Sequence, residues 1–383
     1  MMLVVSAVMF AAALRLNAAW FDAHILPNFV RPRESQWAIA KVVRIGLVLA
    51  GCCALLLALL FLSGRIRGPG IFTICTAFAA GIAAVLSSEA VLHIPKWHAL
   101  QARRLLHEPQ RRPDAHFGWT HLPGHSGREY IGERWIDYAF DRRGYRVSAS
   151  STATDPAAPS ILFAGESVML GVGLKWQETI PARVGASLRV QAINLAVTGY
   201  STDQALMRVR SELPRFTCPL GVIMIFMPSF LARNIHTDRP YLDSRLQWHE
   251  PVSGWRLAEL VRYALGYGGA KSIDEGIIMT TAALRASRII AERRGAWALT
   301  IVPVFMPESA AEQSIRHRVL NEAGLDRIIV PLDRRLRIAG DGHPDARAAA
   351  IIASAIVARL RSRGLSLGTQ RQTSAGLYPC NAS

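Results

Sequence analysis

Three short stretches carry residues whose types and spacing could perform nucleophilic chemistry. In "ILFAGESVMLGVG", Ile161 to Gly173, four apolar residues lead into Gly165-Glu166-Ser167. Ser167 could cap a helix, since Ser is a preferred cap and an acidic neighbour suits a helix start. It could also sit at a sheet edge with its hydroxyl presented for attack. "DGHPDARA" carries His343, a candidate base for that serine, with Asp341 two residues before it to orient the ring. "NLAVTGYSTDQ" carries Gly199, where the missing side chain lets backbone approach a developing oxyanion, while Ser167 brings its own N–H. Each has a plainer reading when taken singly. His343 before Pro344 could be a turn histidine, Asp341 a turn or cap residue, and Asn194 the turn residue that ends a strand. Together they read as acyl-transfer chemistry.

These residues need a frame that brings them to one place. From Ser160 the chain alternates strand and helix. The strand candidates are "SILFAG", "VQAINLA", "LGVIMIFM", "WALTIVPVF" and "RIIVPL", and the longest helical candidates are "DEGIIMTTAALRASRIIAERRG" and "PDARAAAIIASAIVARLRSRG". Near-continuous apolar strands separated by helices predict an α/β domain with a parallel sheet. Sites in such sheets form at the carboxyl ends of the strands, which puts Ser167, Gly199 and His343 on one rim. "RNIHTDRPYL" falls on the same rim, so Arg233 and Asn234 could grip an anionic or sugar substrate or lie in a solvated loop. His236 reads as a surface residue. "GVG" and "GYGGA" lack the spacing of a dinucleotide loop.

The three stretches resemble the blocks of the SGNH (GDSL-type) hydrolase family of serine esterases and acyl-modifying enzymes, over about 160–363. "AGESVMLGVGLKWQETIPARV" is similar to the first block, "NLAVTGYSTDQ" to the second and "DGHPDARA" to the last. The resemblance implies a flavodoxin-like three-layer α/β/α fold with Ser167 as nucleophile, His343 as base and Gly199 as an oxyanion donor. The family pattern has Asp where Glu166 stands, and an asparagine donor where Ser229 stands. Its acid usually lies three residues before the histidine, a place held here by Gly340. Asp341, Asp333 at the end of the fifth strand, or a Ser–His dyad without a third member all stay open.

Upstream, Ile45–Ser63 is a run of 19 residues without a charge, and 71–92 is a second apolar run with one charge, Glu89. Crossing the hydrocarbon core takes about 20 apolar residues, so both read as transmembrane spans joined by "GRIRGPG"; a weaker span is expected over 1–20. Residues 95–159 read as a juxtamembrane linker and a small β-rich segment, residues 160–363 as the hydrolase-like domain, and 364–383 as a loose tail. The bilayer is thus an expected partner.

The chain has 383 residues, is 51 % hydrophobic and carries a formal charge of +16. Its mean hydropathy is +0.20. Only four of the 44 basic residues are lysine. The arginines are scattered with no nucleic-acid-binding motif among them, so the charge does not predict a nucleic-acid partner. Five cysteines show no metal spacing, and neither metal nor cofactor is expected. Cys218 and Cys380 could pair in an oxidising compartment.

The sequence thus predicts a bacterial inner-membrane, multi-pass serine hydrolase or acyltransferase acting on an acyl ester of an envelope glycan or lipid. The alternative is an inactive scaffold that binds an envelope glycan or protein. Loop 21–44 carries four Lys or Arg against two between the strong spans, which by the positive-inside rule places the domain in the cytoplasm. The resemblance favours the periplasm, and long domains follow the charge rule poorly. The periplasmic side is the expectation taken forward.

Overall fold

The computed structural model describes residues 2–27, 33–64, 70–92, 107–252, 255, 257–258 and 270–363. The linker before 107, the link at 65–69, the glycine run before 270, the tail from 364 and Cys380 lie outside the described residues. Two units are distinguished, Met1–Gln101 with Ser253–Ile273, and Ala102–Val252 with Asp274–Ser383.

In the first unit, the span expected over 1–20 is broken. Helices α1 (Met2–Arg15) and α2 (Ala18–His24) meet at 79°. Asn17 is the cause: its extended backbone leaves helical geometry, and its side chain accepts the Trp20 N–H at 2.8 Å to start a new helix. Helix α3 (Arg33–Leu62) begins well before the uncharged run, has 30 residues, and is long and apolar enough to cross a membrane. At 1.5 Å per residue it extends about 45 Å. Helix α4 (Ile71–Leu92) has 22 residues; its apolar stretch with described side chains, Ala79–Val91, is shorter than a span. Helices α1 and α3 approach closely at Gly51, whose carbonyl accepts the Ser6 hydroxyl at 2.9 Å. A Cβ at Gly51 would lie 3.0 Å from the Phe10 ring.

The second unit opens with a hairpin of β1 (Arg111–Asp114) and β2 (Gly118–His121). Then come β3 (Ser126–Ile131), β4 (Arg134–Phe140), β5 (Arg146–Val147), β6 (Ser160–Ala164), α5 (Ser167–Leu170), α6 (Ile180–Leu188), β7 (Gln191–Asn194), α7 (Thr202–Glu212) and β8 (Pro219–Ile225). After these lie α8 (Leu231–Asn234), a short pair β9 (Tyr241–Leu242) and β10 (Trp248–His249), α9 (Ala270–Arg293), β11 (Trp297–Met306), α10 (Ala310–Ala323), β12 (Arg327–Asp333) and α11 (Ala346–Ser362).

Eight strands form one sheet in the order β12-β11-β8-β6-β7-β5-β4-β3. Numbering the five parallel strands along the chain gives the order 2-1-3-4-5, the flavodoxin arrangement. Every residue of β6 and β8 is buried, which is why they read as unbroken apolar runs. The parallel sheet expected from Ser160 onward is present, but it is part of a larger mixed sheet. Residues 126–147 supply three antiparallel strands, joined to the parallel part where Arg146 pairs with Asn194. The boundary expected at 160 therefore falls inside a single sheet. Helices gather in two groups: α6 packs with α11, while Leu206 and Met207 of α7 share an apolar cluster with Met279 and Ala283 of α9.

Candidate active site

The turn after β6 is shaped by a missing side chain. A Cβ on Gly165 would stand 2.3 Å from Ile225 Cγ2 and 3.2 Å from Met169 Cβ, so only glycine lets β6 pass beside β8 into α5. Glu166 is the cap of that helix, not Ser167. One Glu166 oxygen, Oε2, accepts the Val168 N–H at 3.0 Å. The capping role considered for Ser167 is thus taken by its neighbour, and the Ser167 hydroxyl is left for other partners.

Those partners are His343 and Glu166. Ser167 Oγ lies 2.8 Å from His343 Nε2 and 2.6 Å from Glu166 Oε2. His343 Nδ1 is hydrogen-bonded to Asp341 Oδ1, and the same oxygen accepts the His343 backbone N–H at 3.1 Å. With Nδ1–H donating to the carboxylate, Nε2 is the ring nitrogen that faces Ser167. Ser167 has one hydrogen for two acceptors, Nε2 and Oε2. The Glu166 carboxylate, 3 % exposed, therefore competes with the imidazole for the serine proton. Arg233 Nη1 stands 3.9 Å from the same Glu166 oxygen.

The histidine loop is built on glycine. Gly340 and Gly342 have φ of +75° and +90°, and the loop closes through Ile338 N–H donating to His343 O at 2.7 Å. Burial, the largest influence on Asp341, acts to raise its carboxyl. The hydrogen bonds and charge of His343 outweigh burial and hold it below the ordinary carboxylate value. Of the three arrangements open in the sequence, the structure pairs His343 with Asp341. Asp333 is exposed and accepts the Arg335 N–H at 2.8 Å, serving a turn at the end of β12.

Gly199 lies on the loop after β7, with φ of +85°. That loop is tied to the serine turn by Val197 N–H donating to Gly165 O at 3.2 Å. Among the described residues, no protein acceptor takes the N–H of Ser167 or of Gly199. Ser229 sits in the turn Pro228–Phe230 at the carboxyl end of β8, beside the strand that delivers Ser167.

The substrate-loop pair is divided by the structure. Asn234 is buried and spent internally: it accepts Thr202 N–H at 2.8 Å and donates to Thr280 Oγ1 at 2.5 Å. Asn234 pins α7 to α9 and does not face a substrate, which corrects the expectation for that residue. Arg233 stays at the site, donating to Tyr200 O at 3.1 Å and stacking over Phe230. Asn194 is more than a turn residue: it is fully buried, and its amide reaches Met169 O and Leu170 O, both at 3.3 Å, bracing α5.

Sequence reasoning missed the residue that closes the other end of α5. Arg146, buried on β5, donates to Leu170 O at 2.8 Å, Gly171 O at 2.6 Å and Leu174 O at 2.5 Å. Burial is the main reason its guanidinium is lowered to about 10. Carbonyls at a helix end have no intrahelical donors, and a fork of N–H groups suits them.

No family model matches the chain, and no curated protein matches it. Solved structures similar to it include a psychrotrophic esterase from Pseudoalteromonas sp. (13 % identity, TM-score 0.34, covering 54 % of this chain and 98 % of that one). Another is an acetyl xylan esterase from Butyrivibrio proteoclasticus (9 %, TM-score 0.36, covering 56 % and 67 %). A third is a member of the lipolytic G-D-S-L family from Veillonella parvula (11 %, TM-score 0.31, covering 52 % and 96 %). At these values the likeness carries no functional argument; the site's own geometry does.

Proposed function

We propose that this chain is a membrane-anchored serine ester hydrolase or acyltransferase of the SGNH type. One observation carries the reading. Ser167 Oγ stands 2.8 Å from Nε2 of His343, whose other nitrogen is held by Asp341. That is hydrogen-bond reach for a nucleophile and its base.

Ser167 Oγ attacks the acyl carbon as its proton passes to His343 Nε2. The carbonyl oxygen becomes an oxyanion that accepts from the N–H groups of Ser167 and Gly199, with Ser229 in the place of a third donor. Collapse returns the proton from His343 to the departing alcohol and leaves an acyl group on Ser167. Water, or a second alcohol in a transferase, then attacks the acyl carbon as its proton passes to His343; collapse returns that proton to Ser167 Oγ and releases the acid or the new ester. Asp341 holds the ring in the correct tautomer and stabilises the imidazolium.

We assign the chain to the bacterial inner membrane, with α3 and α4 as a hairpin and the catalytic unit periplasmic. The anchoring is supported by α3, which is long and apolar enough to cross a membrane. The substrate class is then an acyl ester of an envelope glycan or lipid. The test is turnover of a short-chain nitrophenyl ester by full-length protein in detergent. Ser167→Ala must remove it with melting unchanged; a folded wild type that turns over no ester and reacts with no phosphonate would leave a binding scaffold as the better reading.

A further inference from the structure

The hairpin β1–β2 lies outside the eight-stranded sheet, yet two of its side chains converge on one atom of the oxyanion loop. Arg111 Nη1 donates to Thr198 O at 3.2 Å, and Trp119 Nε1 donates to the same oxygen at 2.9 Å. Thr198 O belongs to the peptide that carries the Gly199 N–H. In a trans peptide the C=O and N–H point in opposite directions. Two donors that fix the carbonyl on one side therefore fix the Gly199 N–H on the other.

This matters most where the backbone is least constrained. Gly199 has φ of +85°, and a glycine peptide can rotate between conformations at little cost. The hairpin limits that freedom in a second way. A Cβ at Gly199 would lie 3.4 Å from Trp119 Cζ2 and 3.6 Å from Arg111 Nη1, so both side chains pack over the glycine. The hairpin itself is tied down from the far side of the loop. Tyr200 Oη donates to Trp119 O at 2.6 Å, and Gln204 Nε2 donates to Phe117 O at 2.7 Å.

We propose that Arg111 and Trp119 are positioning residues for the oxyanion donor: by holding the Thr198 carbonyl they aim the Gly199 N–H at the transition-state oxygen. The inference rests on the serine-hydrolase reading above. It makes the stretch before the sheet a part of the catalytic apparatus. A preorganised donor acts where charge develops and not on the ground-state ester, so its loss lowers kcat and leaves KM nearly unchanged.

The test uses full-length protein in detergent with Trp119→Phe, Arg111→Met and Arg111→Lys. Trp119→Phe keeps the ring over Gly199 but removes its N–H. Losing an oxyanion donor outright costs about 10²–10³-fold; each single loss of aim is expected to lower kcat about tenfold, with KM within about twofold. Because both donors share one acceptor, the double variant is expected to fall by more than the product of the two. Arg111→Lys, which retains a donor, is expected to recover much of the loss. Affinity for an alkylboronic acid, whose tetrahedral adduct bears an oxygen in the oxyanion position, should fall by the same factor as kcat. Melting temperatures identify variants that misfold. Folded variants with wild-type kcat and boronate affinity, or with KM raised and kcat kept, would overturn the inference while leaving the hydrolase reading intact. A wild type with no turnover and no boronate binding would overturn the hydrolase reading itself.

Discussion

At the scale of the residue, the chemistry depends on one hydrogen. Ser167 Oγ offers it to His343 at 2.8 Å and to Glu166 at 2.6 Å. In the proposed mechanism that hydrogen passes to the imidazole. Ser167→Ala and His343→Ala are each expected to lower kcat by about 10⁴-fold or more, since the residual rate rests on the oxyanion donors and binding alone. Asp341→Asn should be about 10- to 100-fold milder than the histidine change. Initial rates on a nitrophenyl ester check both; equal losses for Asp341→Asn and His343→Ala would show that the ring cannot work without its partner. Ser167 and Gly199 were legible in the sequence because each sits at a turn after an apolar strand, and His343 because "DGHPDARA" opens the last helix. The second contact of Ser167 was not legible. Glu166 reads as a helix-start acid, and only in the fold does its carboxylate both cap α5 and reach the serine. Asn234 misled for the opposite reason: a polar residue on a polar loop gives no sign that its amide is buried between Thr202 and Thr280.

At the scale of the element, a four-residue helix bearing the nucleophile cannot hold itself in place, because too few internal hydrogen bonds offset its nucleation cost. Glu166 closes its start, and Arg146 closes its end with three carbonyls. Arg146→Met should cost about 3 kcal/mol or more, because buried carbonyls would lose their donors at roughly 1–3 kcal/mol each. Thermal or urea melting would show it, and activity should fall with it. No periodicity marks Arg146, since one arginine in "DRRGYRV" resembles its neighbours. Glu129 on β3 offers a pH test. Burial is the largest cause of its raised carboxyl, and the Asp341 charge adds to it; the hydrogen bond from Tyr138 and the charge of His343 act the other way. A carboxyl raised on folding stabilises most below its unfolded value, and that contribution is lost as pH rises through the folded one. Glu129→Gln should therefore melt close to wild type near pH 4 and higher than wild type at pH 7 to 8. A difference that is constant across that range would contradict the sign.

At the scale of the whole molecule, alternating strands and helices were enough to predict five parallel strands, because β6 and β8 are buried on both faces and read as unbroken apolar runs. The antiparallel extension was hidden, since two-residue β5 joins β4 to the parallel strands through the single pairing of Arg146 with Asn194. Likewise one asparagine, Asn17, turned an expected span into two helices. The proposed anchoring predicts that the protein stays with membranes through an alkaline carbonate wash; release into the supernatant would contradict it. A reporter fused after Ser383 should be active in the periplasm, and activity only in the cytoplasm would reverse the proposed orientation. The claim on which the rest depends is that Ser167 is activated by His343. Fluorophosphonate labelling of the folded, full-length protein followed by peptide mass analysis tests it most directly. The account predicts one adduct on Ser167, absent in Ser167→Ala and formed far more slowly in His343→Ala. A folded wild type that takes no label, or a His343→Ala variant that labels Ser167 at the wild-type rate, would contradict it.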